Sequence, residues 1–297
     1  MINYEWRAEL TDAERDELTQ LLTRAAHYDA EPEYTTIDIN DVLSSMTDPG
    51  TRAKHLLIWM LPHATALSGP DDPERIAGIL RVVGDGDGTA QASIVIDPRL
   101  RSIGITTLLL ERIGLDCSPA DGWSGTGAHT ISAWAQGNHP AAGRISNRFL
   151  IPRTRRVWKL IRPAESVHSA TAAPVLEPAS ATMLRELSWA RDTTIDDTFA
   201  LREDGRVLGV ITLSFDTVIS EEFGVCAAIT HYAVAPTISM HGRRCLLDGA
   251  AAIVHEKGRP AVVIYVDSND AEWVSSCRLT GFQHDRTDVR FELGGRE

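Results

Sequence analysis

The chain has 297 residues, 43% of them hydrophobic and 24% charged, with a formal net charge of -12 at pH 7. That balance fits a soluble protein with two ordinary cores, and the acidity argues against non-specific nucleic-acid binding, because no surplus of Lys and Arg displaces counterions. The longest apolar runs, such as His55–Leu61 and Val262–Val266, are strand-sized, and the opening residues lack a basic stretch ahead of an apolar core. Cys117, Cys226, Cys245 and Cys277 are scattered without a CxxC or CxxH pair, so they read as buried thiols in a cytoplasmic protein without a metal site or disulfide framework.

Taken in chain order, Thr11-Asp-Ala-Glu14 is a capping box, and the following Leu18, Leu21, Leu22 and Ala25 recur at helical spacing, which predicts a helix over 11–28. A short helix over 41–46 follows, then strands over Leu56–Met60 and Arg75–Val83. The Gly84–Gly88 run turns into a third strand, Ala90–Asp97. Next come a basic loop, an apolar helix, a strand near Ala133, a helix to Phe149 and a strand over Val157–Ile161. Residues 162–180 are rich in Ala, Ser and Pro and read as a linker. The second half repeats the order in shortened form: helix Ala181–Arg191, strands Thr198–Arg202, Val207–Ser214 and Ala227–Val234, a loop, helix Cys245–Glu256, strand Ala261–Asp267, a helix, and a strand over Val289–Leu293.

The repetition centres on Ser93–Leu110 and Ile229–Leu247. Each is a strand ending near a Pro, then a basic loop with a central Gly, then a helix start. Loop amides and a helix N-terminus point at an anion, and Gly lets a phosphate approach closely. Gly104 and Gly242, like Phe149 and Phe282, lie roughly 130–140 residues apart, a sensible domain length. The expected division is 1–162, a linker over 163–180, and 181–297.

The loop Arg101-Ser-Ile-Gly104-Ile-Thr106 and its weaker copy Ser239-Met-His-Gly242-Arg-Arg244 resemble the Gln/Arg-x-x-Gly-x-Gly/Ala loop of the GCN5-related N-acetyltransferases. Trp6–Thr11, Leu160–Pro163 and Tyr265-Val-Asp-Ser-Asn269 through Phe282 further resemble the tandem, mycothiol synthase branch of that family. The resemblance implies an α/β fold of two tandem domains, each a twisted mixed sheet flanked by helices. It implies an enzyme that moves acetyl from acetyl-CoA to the cysteinyl amine of cysteinyl-glucosaminyl-inositol, acting as a monomer on a small molecule, with no nucleic acid and no membrane. The cofactor contacts carried over are Ile94, Val95 and Ile96 on the first strand, then Arg101, Ser102, Ile103, Gly104, Ile105, Thr106 and Thr107. In the second half they are Tyr232, Ala233 and Val234, then Ser239, Met240, His241, Gly242, Arg243, Arg244 and Cys245, with Asp270. Tyr265 and Asn40 are the implied substrate contacts.

Several chemical groups depart from that pattern. Ala228 stands where the family carries a catalytic Glu, Cys277 where it carries a Tyr acid, and Ser214 near a family Lys. No catalytic residue is assigned. Strict alternation along a strand puts His231 on the face opposite Ala228, which removes it as a replacement base. An acetyltransferase acting on another small amine and a CoA-binding pseudo-enzyme remain as alternative readings.

Overall fold

The computed structural model describes residues 2–48, 50–61, 74–165, 174–190 and 193–295. In chain order the elements are β1 (Ile2–Arg7), α1 (Asp12–Asp29), α2 (Ile39–Thr47), β2 (Ala53–Met60), β3 (Arg75–Gly84), β4 (Thr89–Ile96), α3 (Ile105–Ile113), β5 (Thr130–Ala135), α4 (Pro140–Phe149) and β6 (Arg153–Pro163). They continue with β7 (Glu177–Pro178), α5 (Ala181–Glu186), β8 (Thr198–Glu203), β9 (Arg206–Ser220), β10 (Gly224–Val234), α6 (Met240–Glu256), β11 (Ala261–Asp267), α7 (Ala271–Leu279) and β12 (Gln283–Gly294).

Contacts divide the chain into two units, Met1–Arg155 with Asp288–Glu297, and Arg156–Thr287. The division follows strand pairing rather than chain order. In the first unit the strands run β1-β2-β3-β4-β5-β12, closed by the chain's last strand through Val289↔Ala135 to Gly294↔Thr130. In the second they run β6-β11-β10-β9-β8-β7, where β6 pairs antiparallel with β11 through Val157↔Asp267 to Pro163↔Ala261. Each repeat thus takes its closing strand from the other half of the sequence. Of the stretch read as a linker, 166–173 lies outside the described residues. Its flanks are packed: Ala164 and Leu176 are buried, and β7 pairs with β8.

Both units are three-layered. In the first, the Thr11 hydroxyl accepts from the Glu14 amide and the Glu14 carboxylate accepts from the Thr11 amide, so the capping box forms as read. Leu18, Leu21, Leu22 and Ala25 then pack with Leu57, Trp59, Ile79 and Val95 on one sheet face. On the opposite face Ile105 and Leu109 of α3 pack on Leu56, Ile58 and Leu80. β2 is buried from His55 to Met60, which explains its continuous apolar run. In the second unit α6 and α7 cover one face through Leu246, Leu247, Ala250, Trp273 and Cys277. The other face carries α5, whose Leu184 meets Ala200 and Val210. That helix ends at Glu186, short of the expected Arg191, which is outside the described residues.

His55 is the first unit's buried imidazole, with the Ser45 hydroxyl 3.1 Å from its Nε2. Burial, and then the Arg81 charge, lower its pKa from 6.5 to about 4. An unfolded His binds its proton near pH 6.5, so between there and pH 4 the unfolded state holds the extra proton and stability falls with pH. Urea denaturation should show a loss on the order of 3 kcal/mol across that window attributable to this group. His55→Gln should flatten that part of the slope, and an unchanged slope would refute the assignment.

Candidate functional site

Parallel pairing is short in both units. β4 pairs with β5 only from Thr89↔Thr130 to Ala92↔Ala133, although β4 runs on to Ile96. β10 pairs with β11 only from Ala227↔Val262 to Ile229↔Ile264, although the strands continue to Val234 and Asp267. Each sheet therefore opens into a V at the carboxyl ends of its parallel strands, where the following helix begins. Ligands of open sheets bind at such points.

In the first unit the V leads to an uncapped helix. Gly104, at φ +90°, is the N-cap of α3, and no side chain caps the helix. Ser102 is also left-handed, at φ +67°. The uncapped start of α3 leaves the N–H groups of Ile105, Thr106 and Thr107 without helical partners, a set of donors that can receive an anion. Arg101, expected to meet phosphate, is committed elsewhere: its guanidinium makes two 2.6 Å bonds to the buried Asp29 and its Nε donates to the Ile96 carbonyl. It ties the loop to the end of α1. Val95 is buried towards α1, whereas Ile94 is exposed. On the α1 side the V is covered. The Thr35 hydroxyl donates to the Trp134 carbonyl, and a Cβ at Gly137 would lie 2.8 Å from the Pro32 carbonyl oxygen. Asn40 is exposed at the start of α2 and bonded to Asp38.

The second unit reverses this arrangement. α6 begins at Met240, ahead of the expected Cys245, because Ser239 caps it and accepts from the Gly242 amide at 3.1 Å. Gly242 is helical, and its lack of a side chain admits Ile238, whose Cγ1 would lie 2.7 Å from a Cβ. Arg243 pairs with Glu272, and the His241 imidazole lies 3.5 Å from the Cys245 sulfur. Asp270 caps α7 by accepting from the Trp273 amide. This helix start offers an anion fewer open amides than α3 does.

The second unit's polar groups gather on the face away from α6, which also carries α5 against Val210. Register places Ala228 opposite Ser214 on β9 and opposite Val263 on β11, and Tyr265 opposite Lys159, so these side chains share one face, away from α6. The Lys159 side chain is fully buried, with its ammonium 2.9 Å from the Asp285 carboxylate. A bulge at Thr230 then changes the phase of β10. Ile229 pairs with Leu213 and His231 with Thr212, adjacent residues of β9. His231 is thereby returned to the face of Ala228, contrary to the alternation argument. Tyr232 falls on the opposite face, its ring 4.2 Å from that of Trp273. Cys277 cannot stand in for an acid: it is buried beneath α7's face of the sheet, and burial raises its pKa from 9.0 to about 12. No cluster of three or more potential metal ligands occurs among the described residues.

The α3 loop carries a direct expectation. Val at Gly104 forces a β-branched residue into a left-handed backbone and should disturb that set of amides. Gly104→Val should weaken binding of inorganic pyrophosphate by about tenfold or more in calorimetry, roughly 1.4 kcal/mol or more. Unchanged affinity would reduce the loop to a turn.

No family model matches the chain. A mycothiol acetyltransferase of Saccharomonospora viridis is 26% identical over 99% of this chain and the whole of that protein. One from Arthrobacter sp. is 24% identical over 75% of this chain and 76% of its own. Among solved structures, a GCN5-related N-acetyltransferase from Sphaerobacter thermophilus superposes with a TM-score of 0.61 at 15% identity, covering 99% of this chain and 96% of that one. A tandem protein of the same type from the clavulanic acid biosynthesis pathway gives 0.58 at 16%, covering 100% and 99%. No helix among the described residues is long and apolar enough to cross a membrane. The chain thus has the fold of the GCN5-related N-acetyltransferases in tandem form and is similar along its length to a mycothiol acetyltransferase.

Proposed function

We propose that the chain transfers acetyl from acetyl-CoA to a primary amine, and that the amine is the cysteinyl group of cysteinyl-glucosaminyl-inositol, with the transfer carried out in the second unit. The observation that carries the site is the V between β10 and β11, with Tyr265, Lys159 and Ala228 on the face away from α6. The acceptor rests on a relative named mycothiol acetyltransferase that matches nearly the full chain. In this reading the enzyme is a cytoplasmic monomer of two repeats that have exchanged closing strands.

When bound, acetyl-CoA supplies an activated acyl carbon. The inner edges of β10 and β11 beyond Ile229 and Ile264 are not joined by ladder bonds, so their backbone groups are available to a chain of amides such as the pantetheine arm. The start of α6 holds the anionic end with fewer donors than α3, which makes the first unit's loop the tighter of the two cofactor positions. Tyr265 presents its ring to the acceptor from the wall opposite β10. Orientation of the two reactants, worth up to about 7–11 kcal/mol, does not depend on the missing Glu.

Incubation with acetyl-CoA and cysteinyl-glucosaminyl-inositol, followed by free CoA release, tests the reading. Steady release that requires the acceptor is expected. Release with other small amines but not with this one would transfer the activity to a different acceptor. Binding of acetyl-CoA without release to any amine would favour the pseudo-enzyme, a reading that Ala228 and the inert Cys277 support.

A further inference from the structure

The established pattern leaves the second unit without a proton acceptor, because a methyl group stands at Ala228. The bulge at Thr230 supplies a different candidate. Thr230 is the extra, exposed residue, and the register resumes with His231 opposite Thr212. β9 is regular from Ser214 to Ile211, so Thr212 and Ser214 share a face, and their partners His231 and Ala228 share it as well. His231 stands just past the last β10–β11 pair, on the β10 wall of the V, while Tyr265 and the Lys159–Asp285 pair form the β11 side of the same face.

The state of the ring is the second observation. Its Nε2 is buried and has no hydrogen-bond partner among the described residues. Buried polar atoms are nearly always paired, and an exception calls for an explanation. The neighbouring hydroxyls do not satisfy it: Thr212 Oγ1 lies 2.7 Å from Thr198 Oγ1, and Thr230 Oγ1 donates to the Thr212 carbonyl. The unit's other described imidazoles are placed elsewhere. His241 meets the Cys245 thiol at the start of α6, His284 meets the Thr287 hydroxyl and the Trp158 ring, and His255 is exposed at the end of α6.

We propose that His231 Nε2 is the proton acceptor for the attacking amine, taking the role that Ala228 cannot fill. The inference rests on the acetyl-transfer reading but not on the identity of the acceptor. The amine nitrogen forms its bond to the acyl carbon as the carbon–sulfur bond breaks, with that electron pair going to sulfur. The proton shed by nitrogen passes to Nε2. The thiolate takes a proton from solvent and the imidazolium returns one to it, so protons and charge balance.

The test compares the full-length protein with His231→Ala and His231→Gln in the CoA-release assay, using whichever of a panel of amines, cysteinyl-glucosaminyl-inositol included, gives the highest rate. Both variants should lose about 10²–10⁴-fold in kcat, the range a general base contributes. KM for acetyl-CoA should stay within about threefold, which also shows that the variants fold. Added imidazole should restore at least about tenfold of the loss in His231→Ala, where it finds a vacated space, and nothing in His231→Gln; a purely structural histidine would give the opposite ranking, with the glutamine variant the more active. Retention of kcat within about threefold in either variant would overturn the assignment, and so would a loss that imidazole does not relieve. A wild-type protein active on other amines only would overturn the proposed acceptor while still testing His231. One that transfers to no amine would overturn both.

Discussion

The shortness of the parallel pairing is the constraint from which the rest follows. Parallel ladders are somewhat weaker per residue than antiparallel ones, and here they hold for only three or four residues before the strands part. The parted strands are nevertheless held on their outer edges. β10 is paired with β9 as far as Val234↔Gly209, and β11 with β6 as far as Asp267↔Val157. The opening is therefore a fixed feature of two well-braced walls rather than a frayed end. Its inner backbone groups need partners, and a ligand that carries its own amides can provide them.

The two repeats have divided these features between them. The first keeps an uncapped helix preceded by two left-handed residues, but its α1–α2 segment lies across the end of β5. The second keeps Tyr265 and His231 on the face away from α6, but its helix is capped by its own Ser239. Each choice has a physical reason. A serine cap stabilises its helix by about 1 kcal/mol and occupies a donor that an anion would use. The Asp29–Arg101 pair, bidentate and largely buried, fixes the first loop by using the charge that the sequence alone offers to phosphate.

What could be read in the sequence was what is decided locally. The capping box at Thr11, the turn before β4 and most strand positions depend on neighbouring residues, although β1 was not among them, and the mixed-sheet fold with two repeats came from the family resemblance. What could not be read was set by partners distant in the chain. Nothing in Val157–Ile161 states that it pairs with β11, and nothing in Arg101 names Asp29 as its partner. The placement of His231 failed for a narrower reason. Alternation assumes a regular strand, and one inserted residue at Thr230 reverses every later side chain. Lys159 is the one charge within the run Val157–Ile161, which in a buried setting implies a dedicated counter-charge.

That counter-charge bears on the loss of the family's Glu. Ala228 is buried, and a carboxylate placed there would need a cation or several donors to offset its desolvation. The cation on that face is Lys159, and Asp285 already sits 2.9 Å from it. The face is thus charge-balanced without an acid on β10, and a group that accepts a proton from a neutral resting state is easier to accommodate there than one that must rest as an anion. An imidazole meets that condition where a carboxylate does not. In the proposed reading a His three residues along β10 from Ala228, turned to the same face by a single bulge, takes the role of base.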